Sequence, residues 1–367
     1  MASTHPSSHP AQSIAADPQS VLFITRKWGP AVGGMETYCE RLTQELAKTR
    51  KVDVIALKGQ TNGQPPSALA LLFFPFTVLS GLIRHKETPA IVHLGDMAIW
   101  PLAFLALAFL PRAKLVLSAH GTDVSYGART GLKGSLYALY MKVGSRVLAH
   151  AKVIANSQAT GARLEEIGWR CDVIVPLATD LRTETNTEFN SNELLFAGRL
   201  ITQKGLSWFV GEVLPLLPND LRLTVIGTPW DKSEEVGLKH PQVEFQGRKP
   251  QAELAQRFAK AGCVVVPNIE RETREFEGFG LIACEAASAG GFVLASDTGG
   301  LRDAVQHGAT GYLVEPGNAQ EWATKIGEVL ALSRSERSQF LARSQELAQR
   351  HYSWSRVAAQ TAEVYAS

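Results

Sequence analysis

The sequence predicts an α/β protein made of two successive doubly wound domains, each built on a parallel β-sheet. Twelve short apolar runs alternate with helix-length segments, the pattern of repeated β-α-β units. The alternation breaks once, at the polar stretch 183–188, which we interpret as the linker between domains. A chain of 367 residues, 45% of them hydrophobic, is long enough for two cores.

The predicted strands divide evenly between the two domains, 21–180 and 181–350. Ligands of such sheets bind beyond the carboxyl ends of the strands, so we expect a site in the cleft where the domains face each other. The first domain has runs at Val21–Ile24, Val52–Leu57, Ala90–His93, Leu115–Leu117, Val153–Ala155 and Val173–Val175. The second has runs at Leu194–Ala197, Leu223–Ile226, Val243–Phe245, Val264–Val266, Phe292–Ala295 and Tyr312–Val314.

Composition and termini favour a cytoplasmic globular protein. The four cysteines are widely spaced without a C-x-x-C pair, which argues against a disulfide framework or a zinc site. Residues 1–20 lack the apolar region of a signal peptide and are expected to form a disordered tail. The net charge of +2 gives no reason to expect a nucleic-acid partner.

Three apolar segments leave the question of membrane contact open. Residues 68–83 and 97–110 fall short of the roughly 20 residues that span a bilayer and are predicted to be crossover helices, although 71–76 would also suit shallow membrane contact. Residues 132–149 combine apolar positions at helical spacing with several cations. That pattern suits either a membrane-surface helix or a core helix with a solvated basic edge.

Two acids eight residues apart flank a glycine-rich turn near the C-terminal third. The turn, Glu277 to Leu281, follows a predicted strand and leads into a helical segment carrying Glu285. A helix N-terminus preceded by glycines presents peptide N–H groups to an anion such as diphosphate, and carboxylates beside it can accept hydrogen bonds from sugar hydroxyls. The alternative is an ordinary crossover with solvated acids.

Two turns of the first domain are further candidates. Gly33 and Gly34 would let the backbone approach a ligand, but the spacing does not fit a nicotinamide-binding fingerprint, and a plain turn fits equally well. His120 with Gly121 follows a predicted strand, where the imidazole could bind a hydroxyl or phosphate. A loop histidine satisfied by local backbone is the alternative.

Arg199 and Lys204, beside glycines after the first strand of the second domain, could bind adjacent phosphates. Solvated surface cations are the alternative. The chain contains no D-x-D motif, so a metal that bridges diphosphate to paired aspartates is not indicated, and the two cations would supply the counter-charge.

The ordered series of motifs strongly resembles the family-4 retaining glycosyltransferases of the GT-B fold, from about residue 21 to the C-terminus. The E-x7-E element is shared with other retaining glycosyltransferases, whereas the whole series is specific. It comprises Gly33-Gly34-Met35-Glu36, His120-Gly121, Asn156-Ser157, Gly198-Arg199-Leu200 with Lys204-Gly205, Glu277-Gly278-Phe279-Gly280-Leu281 to Glu285, Gly299-Gly300 and Gly311 to Gly317.

The resemblance implies two Rossmann-like domains facing across a cleft, and a role for each motif. Arg199 and Lys204 would bind the donor diphosphate, Glu277 the donor sugar, and Glu285 the ribose, while His120 would lie near the reacting centre. The remaining implied donor contacts are Gly33, Gly34, Gly227, Gly278, Phe279, Gly280 and Leu281. No metal or other cofactor is implied, and the last helix, 351–367, would return to the first domain.

The implied reaction is retaining transfer of a hexose from a GDP- or UDP-sugar. The acceptor would be a saccharide or a lipid-linked saccharide at the cytoplasmic face of the inner membrane, as in assembly of lipopolysaccharide or another surface polysaccharide. This chain has Gly227-Thr228-Pro229 where relatives commonly carry G-x-G-P, which leaves the nucleobase open. Rival interpretations are a sugar-nucleotide epimerase or phosphorylase of the same fold, and a non-catalytic bilobed binding protein.

Overall fold

The computed structural model describes residues 19–31, 33–183, 189–270 and 275–367. All but two residues of the predicted tail, and residues 184–188 of the predicted linker, lie outside these ranges. The described residues form two six-stranded parallel sheets flanked by helices, so the predicted fold class is confirmed.

The first sheet has the strand order β2-β1-β3-β4-β5-β6. Residues Val21 to Ile24 of the first strand pair with both neighbours and have no solvent exposure, as expected of a parallel strand covered by helices on both faces. The strands are β1 (Val21–Trp28), β2 (Val52–Lys58), β3 (Ile91–Leu94), β4 (Lys114–Ala119), β5 (Lys152–Ala155) and β6 (Val173–Ile174).

The second sheet has the order β12-β11-β10-β7-β8-β9. Each of the twelve predicted strands overlaps an observed one, because short apolar runs between polar segments are buried in this fold. The strands are β7 (Asn190–Leu200), β8 (Arg222–Pro229), β9 (Val243–Gly247), β10 (Ala261–Val266), β11 (Val293–Ser296) and β12 (Tyr312–Val314).

Helices cover both faces of each sheet. They are α1 (Gly34–Leu46), α2 (Ala68–Arg84), α3 (Leu102–Phe109), α4 (Thr122–Ser125), α5 (Leu132–Val147), α6 (Gln158–Glu166), α7 (Leu206–Trp208), α8 (Gln251–Lys260), α9 (Leu281–Ser288), α10 (Leu301–Ala304), α11 (Ala319–Leu330), α12 (Arg334–His351) and α13 (Trp354–Ala366). Within the described ranges, no helix is both long and apolar enough to cross a membrane.

The crossover helix expected over 97–110 is the one element that the structure divides. A short 3-10 turn, Met97–Ile99, precedes α3, and Pro101 stands between them. Pro101 has no peptide hydrogen to donate to the Met97 carbonyl, which instead accepts from the Trp100 N–H at 3.2 Å and closes the 3-10 turn.

The C-terminal helix α13 packs on the first domain, against α1. The Tyr365 hydroxyl lies 2.6 Å from Nδ1 of His93 on β3, and Lys114 on β4 donates to the Tyr365 carbonyl at 3.2 Å. Apolar residues of α1 and α13 share one core cluster with α8, α9 and α10 of the second domain. The chain therefore ends on the domain in which it began, and one core extends under both domains.

Candidate functional site

Three polar side chains meet beyond the carboxyl ends of β7 and β10. Lys204, in the 3-10 turn Thr202–Lys204, donates to Oε2 of Glu277, and Asn268 donates to the same oxygen at 2.9 Å. The Lys204 and Glu277 side chains are only 14% and 16% exposed. We call these three residues the lysine–glutamate cluster.

The electrostatics of this cluster keep Glu277 ionised. Burial by itself raises the pKa of Glu277, but the adjacent charge and hydrogen bond of Lys204 lower it more. The hydrogen bond from Asn268 and the charge of Arg199 add to that lowering, so the net pKa lies below its ordinary value. The carboxylate is therefore an acceptor of hydrogen bonds at neutral pH.

A glycine sets the position of Lys204. Gly205 has φ +71°, and a Cβ there would lie 2.1 Å from the Pro267 carbonyl oxygen. The peptide N–H of Ile269 also donates to the Gln203 carbonyl at 3.1 Å. The turn that carries Lys204 is thereby fixed against the segment that carries Asn268, which only a glycine with positive φ allows.

Glu285 lies one turn into α9, and its carboxyl group has no hydrogen-bond or ion-pair partner among the described residues. Burial is the cause that raises the pKa of this carboxyl group to about 7, since no neighbouring charge offsets the lost hydration. The group remains partly accessible to solvent. A carboxyl group placed in this way without a partner is suited to accept hydrogen bonds from a ligand.

The N-terminus of α9 has the geometry expected of an anion site. Gly280 caps it with φ +99°, and a Cβ there would lie 2.5 Å from Leu301 Cδ2. No side chain caps the helix, so its first peptide N–H groups point into the site. The Phe279 ring instead packs against the Tyr352 ring, with 6.2 Å between the ring centroids, and the Leu281 side chain packs toward Gly34. For these two residues, only the backbone is available to a ligand.

Arg199, at the end of β7, is exposed and lies against an aromatic ring. Its guanidinium carbon is 5.1 Å from the centroid of Trp230, which is 62% exposed. Gly227, on β8, pairs with Gly198 on β7, and a Cβ on Gly227 would lie 1.8 Å from the Gly198 carbonyl oxygen. The close approach of these two strand ends holds Arg199 beside Trp230 at the edge of the cleft.

The two domains touch at glycines. A Cβ on Gly121, which has φ +95°, would lie 2.5 Å from Gly278 Cα, and one on Gly278 would lie 2.2 Å from the His120 carbonyl oxygen. A Cβ on Gly34 would lie 2.9 Å from Leu281 Cδ1. Thr160 on α6 donates to the Gly278 carbonyl at 3.3 Å. Glycine at these turns allows the cleft to close around the site.

His120 is buried beneath this contact. Its Nε2 lies 3.0 Å from the Gly95 carbonyl oxygen. A carbonyl oxygen can only accept a hydrogen bond, so Nε2 carries the proton and Nδ1 has the free lone pair. Nδ1 is buried and makes no hydrogen bond within the described residues. The Tyr38 ring lies edge-on at 4.5 Å, and Asp123 accepts from the His120 peptide N–H at 2.8 Å. An acceptor nitrogen is thereby held at the domain contact.

The structure thus brings most of the residues predicted for the site to one cleft. Gly33 is the N-cap of α1, where a Cβ would lie 2.5 Å from Glu36 Oε2. Sequence analysis missed Asn268 and Trp230. Both lie directly beyond the carboxyl end of a strand, so the rule that located the other residues could have found them. No group of three possible metal ligands occurs within the described ranges.

Comparison with known proteins assigns each domain to a family model. The model "Glycosyltransferase Family 4" matches residues 32–177, and the model "Glycosyl transferases group 1" matches residues 191–331. Together the two models cover most of both sheets.

Curated relatives carry glycosyltransferase names. An uncharacterized glycosyltransferase of Methanocaldococcus jannaschii is 27% identical, with 94% of this chain and 97% of that protein aligned. The D-inositol 3-phosphate glycosyltransferase of Xylanimonas cellulosilytica is 32% identical over 51% of this chain and 45% of its own length. The matches to enzymes of that name span roughly half or less of their length.

Solved structures share the whole architecture. Sucrose-phosphate synthase of Thermosynechococcus elongatus superimposes with a TM-score of 0.73 at 19% identity, covering 95% of this chain and 98% of that one. HepE of Anabaena, solved with UDP and glucose, superimposes with a TM-score of 0.72 at 18% identity, covering 95% and 99%. The family models on the two domains, together with this shared fold, identify the chain as a glycosyltransferase of the family-4, GT-B type.

Proposed function

We propose that the chain transfers a hexose, with retention of configuration and without a metal, from a nucleoside-diphosphate sugar to a saccharide or lipid-linked saccharide. The observation that carries this proposal is the lysine–glutamate cluster, together with the carboxyl group of Glu285, which has no side-chain partner among the described residues. Such a donor has an anionic diphosphate and two sets of hydroxyls. The cation and the helix N-terminus suit the diphosphate, and the ionised acceptor and the free carboxyl group suit the hydroxyls.

Lys204 and the N-terminus of α9 would hold the diphosphate, with Arg199 as a second cation. Glu277 neutralises Lys204 before the donor binds. An ammonium group has three hydrogens, so Lys204 can keep that contact and also bind a phosphate oxygen. Both cations would stabilise the negative charge that develops as the nucleoside diphosphate departs.

Glu277 would accept hydrogen bonds from hydroxyls of the transferred sugar, and Glu285 from the ribose. In the reaction the bond from the sugar anomeric carbon to the phosphate oxygen breaks, and a bond from that carbon to the acceptor oxygen forms on the same face. The acceptor proton passes to the departing diphosphate oxygen. Since this route needs no covalent nucleophile, we assign none. His120 Nδ1 would accept a hydrogen bond from a sugar hydroxyl.

The donor is proposed to be a UDP- or GDP-sugar carrying a glucose-type or a mannose- or rhamnose-type hexose. Structures of HepE bound to UDP and to UDP-glucose support a nucleotide-sugar donor. The relatives named D-inositol 3-phosphate glycosyltransferase make inositol phosphate one acceptor to test beside lipid-linked saccharides. We place the reaction in surface polysaccharide assembly, in the cytoplasm at the inner membrane.

Thermal unfolding with GDP-, UDP-, ADP- and dTDP-sugars, in the presence of a chelator, tests donor binding. A ligand that binds only the folded state raises the melting temperature. We expect one nucleotide to stabilise the protein, and we expect Lys204→Ala to abolish that shift. Lys239→Ala, an exposed lysine of the same domain without a described contact, serves as the control. No shift with any donor would refute the assignment of the cluster.

Acceptor screening with the donor so identified tests the reaction. NMR of the product's anomeric proton would distinguish retention from inversion. Conversion of the sugar nucleotide without any acceptor would instead favour an epimerase.

A further inference from the structure

We propose that the first domain docks onto an anionic lipid bilayer through the outward side of α2, α3 and α5. These three helices cover the same face of the first sheet, where their inward side chains form one core cluster with the strands. The opposite face of that sheet carries α1 and α13. The outward sides of α2, α3 and α5 therefore form one continuous layer, which we call the outer helix layer.

The outer helix layer holds most of the large apolar side chains that are exposed in the described residues. Of 18 such side chains, 13 belong to these three helices. Between Ala68 and Thr77 in α2, only Phe74 is buried. The 13 are Leu69, Leu71, Leu72, Phe73, Phe76 and Ile83 on α2, Phe104 and Phe109 on α3, and Leu132, Leu136, Leu139, Val143 and Val147 on α5.

Five large apolar residues of α5 face solvent, whereas Tyr137 and Tyr140 are half-buried against the core. The buried residues of α5 are Gly134, Met141 and Gly144, of which two have no side chain. A core helix buries its large apolar residues, so the apolar pattern of α5 has no explanation in the core of this domain. Exposed apolar surface on this scale marks an interaction site in folded proteins.

Aromatic packing joins the three helices. The Trp100 ring, directly before α3, lies 5.0 Å from the Tyr140 ring on α5 and 6.1 Å from the Phe104 ring on α3. The Tyr140 hydroxyl donates to the Ala98 carbonyl at 2.7 Å. Helix α2 packs directly against α3. The exposed residues therefore belong to one surface.

Charge identifies the occupant of this surface. The sequences of α2, α3 and α5 contain no aspartate or glutamate, while Arg84, Lys133, Lys142 and Arg146 are exposed. Apolar side chains among unopposed cations are the composition of helices that lie on anionic membrane surfaces.

The few acids near the layer do not offset its charge. Asp96 and Asp123 are buried, Glu87 is paired with Lys51, and Asp53 lies 3.3 Å from Nε2 of His85 at the end of α2. The same excess of cations disfavours a second copy of the chain as the occupant, since a two-fold contact would bring like charges together.

Docking would bring the first domain to the lipid surface, where a lipid-linked acceptor is found. In this respect the inference rests on the proposed function, but bilayer binding can be measured without donor or acceptor. A failure of donor binding would therefore leave the docking result intact, and a failure of vesicle binding would leave the donor-binding result intact.

Flotation of the full chain with vesicles tests the inference. The vesicles are phosphatidylcholine alone or phosphatidylcholine with phosphatidylglycerol. We expect flotation with the anionic vesicles, weakened by high salt, and little with the neutral ones.

Two variants separate the apolar from the charged contribution. Leu72→Gln/Phe76→Gln removes exposed apolar side chains of α2. Val236→Gln is the control, because Val236 is as exposed as Leu72, at 69% against 68%, but lies outside the outer helix layer. Lys133→Gln/Lys142→Gln/Arg146→Gln removes the cations of α5, with Lys239→Gln as control. At about fivefold in partition for each cation, we expect a loss on the order of 100-fold.

Circular dichroism and cooperative urea unfolding establish that each variant remains folded. Equal flotation of these variants and wild type would overturn the inference, as would no flotation of wild type with anionic vesicles. A wild-type dimer that the Leu72→Gln/Phe76→Gln variant dissociates, without vesicle binding, would assign the surface to a second copy and also overturn it.

Discussion

Replacing Glu285 by glutamine should stabilise the unliganded protein while weakening donor binding. Burial raises the pKa of Glu285 from its ordinary value of 4.5 to about 7. The folded state therefore holds an extra proton between these pH values, and this group's contribution to stability falls as the pH rises through that window. At about 1.4 kcal/mol per pH unit, the cost reaches about 3 kcal/mol above pH 7.

Urea unfolding of wild type and Glu285→Gln at pH 5 and pH 8 measures this effect. Glutamine has nearly the same shape and does not titrate, so we expect the variant to be more stable by up to about 3 kcal/mol at pH 8 and by much less at pH 5. Glu346→Gln, on an exposed part of α12, is the control and should show no such difference.

Donor binding should change in the opposite direction. The carboxylate can accept a hydrogen bond from each of two hydroxyls, whereas an amide has one acceptor oxygen, so the donor-induced thermal shift at pH 8 should be smaller in Glu285→Gln. A stability difference that is equal at pH 5 and pH 8 would refute the argument, because it would show that Glu285 does not titrate in that range.

Three further variants test the surroundings of the site. Lys204→Met leaves the Glu277 carboxylate without its cation, so we expect the free energy of urea unfolding to fall by about 3 kcal/mol at pH 8. The loss should lessen toward pH 5, where the acid can take a proton. A loss independent of pH would contradict this. Gly278→Ala places a Cβ 2.2 Å from the His120 carbonyl oxygen, so turnover should fall with little change in circular dichroism, and full turnover would mean that the domain contact is not needed. Burial, with the charge of His120, lowers the pKa of His93 to about 3. Wild type should therefore lose stability relative to His93→Gln as the pH falls below about 6.5. Parallel profiles of unfolding free energy against pH for the two proteins would exclude this.

The fold could be predicted from the sequence because its signal is local. Runs such as Val264–Val266 are apolar at every position, and in this fold they become strands covered on both faces. The break at Pro101 does not follow from local chemistry alone, because α2 continues through Pro75 whereas the helix expected over 97–110 divides at Pro101.

The candidate site was only partly predictable. Arg199, Lys204, Glu277 and Glu285 could be named because each follows a strand or begins a helix. That Asn268 donates to Glu277 depends on how the two side chains meet in space, which no spacing in the sequence encodes.

The sequence by itself determined the two parallel sheets, the cleft between them and the residue types that line it, because hydrophobic periodicity and strand ends are local properties. Only the tertiary structure decided which of those residues have partners. Lys204 is neutralised by Glu277, while the Glu285 carboxyl group has no partner among the described residues, and five large apolar residues of α5 face solvent. Partnership and exposure depend on which distant segments meet in space, and burial then sets the pKa of each carboxyl group.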